Sequence, residues 1–365
     1  MARPLLFLSA GDPSGDIAGS RLISALKQLR PELEFFGLGG RRLNLQGQEQ
    51  LAESGDLAVL GFWEVAKRYL FFRRLFLHCL EEIKRRKPSC VLLVDYPGFN
   101  LRLAKRVHAL GIPVIYYISP QVWAWGKKRV AEIRKNVNMI LLILPFEEQF
   151  FREHDVPVQF VGHYLLEDIP SEYIQSTPVK LLQVALLPGS RPQEIERMLP
   201  SMLDAAGRLE REHGTTTVIA GIRGAYDYES LVTNTAVTVR YDESRKIIHE
   251  SGLVLSSSGT ATLETGIIGR PMVVVYKTGF ITYQIARRLV KLDMIGLVNL
   301  VLGEKVVPEL IQNAATPEAM ASEMAKYLRD ASYYSGVQAK LGRLPEILGG
   351  TGASGRAAEI VSRYL

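Results

Sequence analysis

The feature that most constrains this chain is a rhythm of short apolar runs without polar alternation, each followed by a turn and an amphipathic stretch. Residues 4–10, 90–94, 114–118, 139–144 and 158–161 are such runs in the first half. Residues 184–187, 218–220, 237–239, 253–255 and 272–276 are the strand candidates of the second. A strand that is apolar on both sides is covered on both faces, the condition of a parallel strand in a layered α/β fold. Residues 17–29, 100–110 and 194–213, which intervene or follow, carry helical spacing. The fold class is therefore α/β.

The rhythm restarts near Leu181, after a polar stretch at residues 167–180 that holds Pro170 and Pro178 and reads as an interdomain linker. With 365 residues the chain has room for two domains of ~100–200 residues each. The expected division is residues 1–166, residues 167–348, and a C-terminal helix in residues 349–365 that packs back on the first domain. A Gly-rich break at residues 349–352 precedes that helix, read as residues 353–364.

Composition enters by what it excludes. Two cysteines, Cys79 and Cys90, are too few for a disulfide scaffold and point to a reducing compartment. No run approaches the ~18 apolar residues of a membrane span. The apolar residues 5–8 are too short for a signal peptide. A net charge of +6 is too small to imply nucleic-acid binding unless it is clustered. The six histidines are scattered, and neither cysteine has a neighbour at metal-ligand spacing, so no metal and no cofactor are expected.

Both halves open with the same device, a strand that meets a tight glycine turn and then a helix. In the first half the turn runs through Gly11, Asp12, Ser14, Gly15 and Asp16; in the second, through Gly189, Ser190 and Arg191. Ligands of open α/β sheets bind at the carboxyl ends of strands, where helix starts present free N–H groups. Alternatively, the glycines only permit tight turns. The first loop lacks a Walker lysine, and Gly11, Gly15 and Gly19 do not follow dinucleotide spacing. Its carboxylates would repel a pyrophosphate, so it suits sugar hydroxyls. Arg191 in the second loop could meet phosphate charge, or could pair with Glu194 or Glu196. Ser258, Gly259 and Thr260 open another helix and suit phosphate oxygens, with Glu264 one turn inside for ribose hydroxyls; an ordinary cap reads equally from the same residues. Asp95 ends a buried strand and is a candidate general base, although Asp95 or Asn100 could also cap the next helix.

Residues 61–87 carry more apolar surface than one helix face needs. Phe62, Val65, Ala66, Tyr69, Phe72, Phe76, Leu80 and Ile83 form a core face, and Trp63, Leu70, Phe71 and Leu75 add to it. Lys67, Arg68, Arg73 and Arg74 are interleaved, with no acid between Glu64 and Glu81. That mixture fits an anionic membrane interface. The other reading is a core helix with a solvated basic face. Residues 279–301 show a similar mixture around Arg287, Arg288 and Lys291.

Taken in order, several segments resemble the lipid-A-disaccharide synthase family. They are SAGDPSGD at residues 9–16, DYPGFNLR at 95–102, YYISPQVWAW at 116–125, PFE at 145–147, VGH at 161–163, LPGSR at 187–191 and SSGTATLE at 257–264. Thr282-Tyr283, residues 286–291, Asn299 and residues 307–310 continue the match. The resemblance implies a GT-B architecture, two Rossmann-like domains facing a central cleft. It implies an inverting transfer from UDP-2,3-diacylglucosamine to the 6-hydroxyl of 2,3-diacylglucosamine 1-phosphate; no acidic D-x-D site is apparent on the donor side, so metal-independent catalysis is expected. Carried over, Asp95 becomes the base or acceptor-orienting carboxylate and Arg191 the cation at the departing diphosphate. Ser258, Gly259, Thr260, Glu264, Asn299 and Glu309, with Gly189 and Ser190, become the donor side. Gly11, Asp12, Ser14, Gly15, Asp16 and Asn100 become further substrate contacts. Asp12 stands where the family has Glu, Gly98 where it commonly has Asp, and Glu304-Lys305 where it often has Arg-Glu.

The implied partners are the UDP-diacylglucosamine donor, a lipid monosaccharide acceptor and an anionic membrane surface. The implied location is the inner face of the cytoplasmic membrane, peripherally bound. Association of identical chains into a homo-oligomer is compatible with this. Three other classes share parts of the pattern: a UDP-sugar epimerase of the same fold, which would not need the basic aromatic segment; a NAD-dependent oxidoreductase, disfavoured by the glycine spacing; and a non-catalytic lipid or nucleotide-sugar binder, suggested by Asp12 and Gly98.

Overall fold

The computed structural model describes residues 4–52, 69–125, 127–233, 235–278 and 294–365. The chain divides into two compact units: residues 1–164 with 349–365, and residues 165–348.

Unit 1 is built on a parallel sheet of seven strands: β1 (Leu5–Ala10), β2 (Glu34–Leu38), β3 (Glu49–Gln50), β4 (Cys90–Val94), β5 (Val114–Tyr117), β6 (Met139–Leu142) and β7 (Val158–Phe160). Their order across the sheet is β3-β2-β1-β4-β5-β6-β7. Side chains alternate between the two faces along each strand. Phe7, Val91, Leu93, Val114, Tyr116, Ile140 and Leu142 meet Leu75, Cys79, Ile83, Leu103, Val107, Ile133 and Phe151 from the covering helices in one buried cluster. The helices Pro13–Leu29 and Ala353–Ser362 pack against each other. Ala353, Ala357 and Ala358 are fully buried there, and their small side chains let the helices approach closely. Arg356 fixes the returning segment through hydrogen bonds to the carbonyls of Val161 (2.8 Å), Gly349 (2.9 Å) and Thr351 (2.8 Å).

Unit 2 repeats the plan with six parallel strands: β8 (Lys180–Leu187), β9 (Thr216–Gly221), β10 (Thr238–Tyr241), β11 (Ser251–Ser257), β12 (Met272–Tyr276) and β13 (Glu309–Ile311). Their order is β10-β9-β8-β11-β12-β13. The long helix Pro192–His213 buries Ile195, Met198, Leu199, Met202, Ala205, Ala206 and Leu209, the apolar stripe expected of its spacing. In each sheet the order reverses beside the first strand, between β1 and β4 and between β8 and β11. Those are the topological switch points at which α/β sheets bind ligands.

Several readings of the sequence are corrected. The helix expected at residues 100–110 is Pro97–His108, and the one expected at 353–364 is Ala353–Ser362. Strands β2, β3 and β13 went unread. Residues 167–180 are a packed segment: Gln175 Nε2 donates to the Ile267 carbonyl at 2.9 Å, and the buried Arg270 guanidinium donates to Ser176 Oγ at 3.0 Å.

Candidate active site

At the switch point of unit 1, β4 is followed by Asp95 and Tyr96, both with left-handed backbone, φ +46° and +50°. Two consecutive non-glycine residues in that region store strain, of order 1–3 kcal/mol each, and persist only where the surroundings over-determine them. Here Asp95 N–H donates to the Tyr117 carbonyl (3.0 Å). The Asp95 carbonyl in turn accepts from Tyr116 Oη (2.6 Å) and Asn100 Nδ2 (2.8 Å). The Tyr96 ring lies over Gly11, where a Cβ would come within 2.3 Å of it, so only glycine lets the β1 loop and the β4 loop meet. The Asp95 carboxyl is pushed up to about 7, chiefly by burial and further by the negative charge of Asp12. A carboxyl poised there can take a proton near neutral pH.

The first loop is occupied more by its own backbone than the sequence suggested. Asp12 caps the helix Pro13–Leu29, accepting from Gly15 N–H (2.7 Å) and Ser14 Oγ (3.1 Å). Asp16, expected at the substrate, is buried; its carboxylate accepts from the backbone N–H groups of Gly40 (2.8 Å), Arg42 (3.0 Å) and Leu43 (3.1 Å). Asn100 is also buried, bonded to Ser9 Oγ (2.8 Å) and to the carbonyls that end β1 and β4. Both hold loops in place through these bonds. Glu147 is a buried acid that the residue-by-residue reading left without a role. Its Oε1 accepts from Ser119 Oγ (2.6 Å) and Trp123 Nε1 (2.9 Å), and burial pushes its carboxyl up to about 7.

At the switch point of unit 2 the loops after β8, β9, β10 and β11 line a pocket of about 290 Å³. Gly189, Ser190, Ser258, Gly259, Thr260 and Glu264 are brought together on it, as the sequence reading expected of donor-side residues. Gly189 has φ +120°, which favours glycine, and a Cβ there would come within 2.9 Å of Glu194. The helices Pro192–His213 and Thr260–Ile268 both begin at this pocket, and neither start is capped by a side chain. Uncapped helix starts direct N–H groups and positive dipole ends toward an anion. Ile222, Asp242 and Ser244 also line the pocket and were missed. Their signal was positional, since they follow the carboxyl ends of β9 and β10.

Two expected donor residues lie elsewhere. Asn299 is fully buried, accepting from Val306 N–H (2.9 Å) and Val307 N–H (3.0 Å) and donating to Glu309 Oε1 (2.8 Å). Glu309 is buried too and accepts from Ile295 N–H (2.8 Å) and Gly296 N–H (3.0 Å). The pair supports the 295–296 turn, whose Ile295 carbonyl accepts from Ser258 Oγ (3.2 Å), so both act behind the pocket wall. Arg191 is exposed, pairs with Glu194 at 3.0 Å and is not part of the pocket lining. Among the described residues, no group of three or more His, Cys, Asp or Glu side chains is spaced to hold a metal ion.

Residues 6–343 match the family described as lipid-A-disaccharide synthetase. The lipid-A-disaccharide synthase of Myxococcus xanthus is 39% identical over 374 residues, covering 99% of this chain and 98% of its own. That of Trichlorobacter lovleyi is 38% identical over 368 residues, covering 98% and 96%. This chain belongs to the lipid-A-disaccharide synthase family. It is a glycosyltransferase, and its reaction joins UDP-2,3-diacylglucosamine to 2,3-diacylglucosamine 1-phosphate with release of UDP. Solved structures share the fold at low identity. The UDP-GlcNAc 2-epimerase of Neisseria meningitidis bound to UDP-GlcNAc has a TM-score of 0.64 at 12% identity, covering 99% of each chain. The spinosyn rhamnosyltransferase SpnG complexed with thymidine diphosphate has a TM-score of 0.59 at 17% identity, covering 99% of each. The two parallel-sheet units are those of the GT-B class.

Asp12, Gly98 and Glu304, where the motifs depart from the pattern the resemblance implied, lie in three different local settings. Gly98 faces open space, with nothing within 4 Å of an added Cβ. Glu304 pairs with Lys340 (2.7 Å) and Arg343 (2.9 Å) on the surface. Asp12 serves as the helix cap. The segment expected to meet a membrane is described only from Tyr69 onward, as the helix Tyr69–Arg86. Trp63, Lys67 and Arg68 lie outside the described residues, as do Arg287, Arg288 and Lys291. Leu75 is a correction: it is buried with Cys79 and Ile83 in the core, because it falls one turn from Cys79 on the sheet-facing side. Phe71 also packs partly against that core, whereas Leu70 is 66% exposed and Arg73 and Arg74 are exposed. Among the described residues no helix is long and apolar enough to cross a membrane.

Proposed function

We propose that unit 2 holds the UDP-sugar, and that unit 1 binds the lipid acceptor and supplies the base. The supporting observation is the pocket at the ends of β8 and β11, where two uncapped helix starts and the carboxylate of Glu264 share one lining. The diphosphate lies against the two helix starts, and the ribose hydroxyls donate to Glu264. Asp95 accepts the proton of the acceptor 6-hydroxyl. The oxygen–C1 bond forms as the C1–phosphate oxygen bond breaks on the opposite face, which inverts the anomeric centre. UDP leaves with the bonding pair, and its charge is met by the helix starts and by Arg191 released from Glu194. Asn100 and Tyr116 take no part in bond making; they fix the Asp95 backbone.

Leu70, Arg73 and Arg74 form the contact with an anionic membrane, which brings both lipid substrates to a protein bound peripherally at the inner face of the cytoplasmic membrane. Exposed apolar and basic side chains on one helix favour that surface. The donor assignment is tested by hydrogen exchange with and without UDP. Slowed exchange at residues 189–191 and 257–264 is expected, and protection confined to unit 1 would overturn it.

A further inference from the structure

Three acids line the pocket of unit 2, and each is paired with an arginine: Glu194 with Arg191, Asp242 with Arg223, and Glu264 with Arg245. The first two arginines are 56% and 77% exposed, so solvent screens those pairs and they hold little. The third pair differs. Arg245 is 26% exposed and Glu264 14%. Arg245 Nε and Nη2 both donate to Glu264 Oε1, at 2.9 and 2.7 Å. Asp168 holds the guanidinium as well: Nη1 donates to the Asp168 carbonyl at 2.9 Å, and Nη2, shared with Glu264, pairs with Asp168 Oδ2 at 2.5 Å.

The consequence is an asymmetric carboxylate. Both of the Arg245 bonds fall on Oε1, so the acceptor capacity of Glu264 is left on Oε2. Two vicinal hydroxyls can share one carboxylate oxygen, since it carries two lone pairs. Building on the donor assignment above, we infer that Arg245 is a positioning residue for the nucleotide sugar: braced by Asp168, it holds Glu264 so that Oε2 alone serves the ribose hydroxyls. The guanidinium also bears on the charge of Glu264, whose carboxyl stays above its ordinary range even with Arg245 beside it. Burial raises the carboxyl of Glu264 above its ordinary value and the negative charge of Asp168 adds to this, while Arg245 opposes both. Glu194 and Asp242 are the other acids on the same pocket. With Arg245 gone, Glu264 becomes a buried acid without a counter-ion and holds its proton at higher pH. Protonated, it offers a donor where the ribose needs an acceptor.

The test uses the full chain with Arg245→Gln, Arg245→Lys and Glu264→Ala. Donor KM, kcat and UDP affinity are measured between about pH 6 and pH 9, with a thermal melt of each variant. Arg245→Gln should raise donor KM about tenfold near pH 6, with the deficit shrinking toward pH 9 and kcat changing less than about threefold. Arg245→Lys keeps the charge but not the fork, so its donor KM should be raised by a factor that does not vary with pH. A purely structural role would lower the melting temperature and leave donor KM independent of pH in both variants, which overturns the inference. If Glu264→Ala leaves donor KM unchanged, the donor assignment itself fails. If Glu264→Ala raises donor KM while Arg245→Gln does not, only the role of Arg245 is rejected.

Discussion

Replacing Asp95 by Asn should make this enzyme more stable and inactive at once, and the two effects should depend on pH differently. Asn keeps the size of Asp and tolerates the left-handed backbone at φ +46° equally well. The substitution removes one charge and the basic lone pair. In the folded chain the Asp95 carboxyl sits at about 7 against an ordinary 3.8, chiefly because it is buried, with Asp12 adding to the shift. The unfolded chain ionises it near the ordinary value, so the folded state loses stability as pH rises from about 4 to about 7, and the loss stays constant above that. Each pKa unit is worth about 1.36 kcal/mol, and the half-buried side chain keeps part of its hydration, so the full penalty is on the order of 2–4 kcal/mol. Asp95→Asn should therefore match the parent in urea unfolding near pH 4 and exceed it by about 2–4 kcal/mol near pH 8. Turnover, followed by UDP release, should fall about 10²–10⁴-fold with donor KM unchanged, the range expected when a general base is lost. The parent's kcat/KM should rise about tenfold per pH unit below pH 7 and level off above it. A stability gain that is flat across pH, or turnover within about threefold of the parent, would refute the assignment of Asp95 as a buried base.

Two further outcomes follow from geometry already described. Asn100→Ala strands the Ser9 hydroxyl and the carbonyls at the ends of β1 and β4, so urea unfolding should show a loss of about 2–4 kcal/mol, and kcat should fall because Asp95 loses its brace; a loss below about 1 kcal/mol contradicts this. Leu70→Ser should lower co-sedimentation with anionic vesicles and leave the thermal melt unchanged, since the side chain is 66% exposed; equal partitioning of parent and variant counts against the membrane role.

Much of the architecture was legible because parallel strands buried on both faces read as unbroken apolar runs, as in Cys90–Val94 and Met272–Tyr276. The strand Glu34–Leu38 escaped because it is short, begins with an exposed glutamate and runs into Gly39-Gly40, which looks like a turn. The strand Glu309–Ile311 escaped because its first residue is an acid, and an acid in a matching motif reads as a ligand group. Asp16, Asn100, Asn299 and Glu309 illustrate the general limit. A buried polar side chain that satisfies backbone groups and one that meets substrate are drawn from the same residue types, and only the hydrogen-bond partners separate them. The pocket residues Ser258, Gly259, Thr260 and Glu264 were readable because a polar turn opening a helix after a buried strand has a geometric meaning of its own. Asp242 and Ser244 were not, because β10 is brief and half-polar and hid the strand end that places them.

The helix Ala353–Ser362 belongs to the first unit, yet residues 165–348 separate it in sequence from the rest of that unit. During synthesis, residues 1–164 emerge first and must wait while residues 165–348 are made. At about 5–20 residues per second that interval is roughly 10–40 s. Throughout it, the flank of the helix Pro13–Leu29 that will receive Ala353, Ala357 and Ala358 has no cover from its own chain. The unit that carries Asp95 is thus completed only after residues 165–348 have been made. A chain cut short within residues 165–348 lacks that helix, and its first unit is left without the packing that Ala353, Ala357 and Ala358 supply.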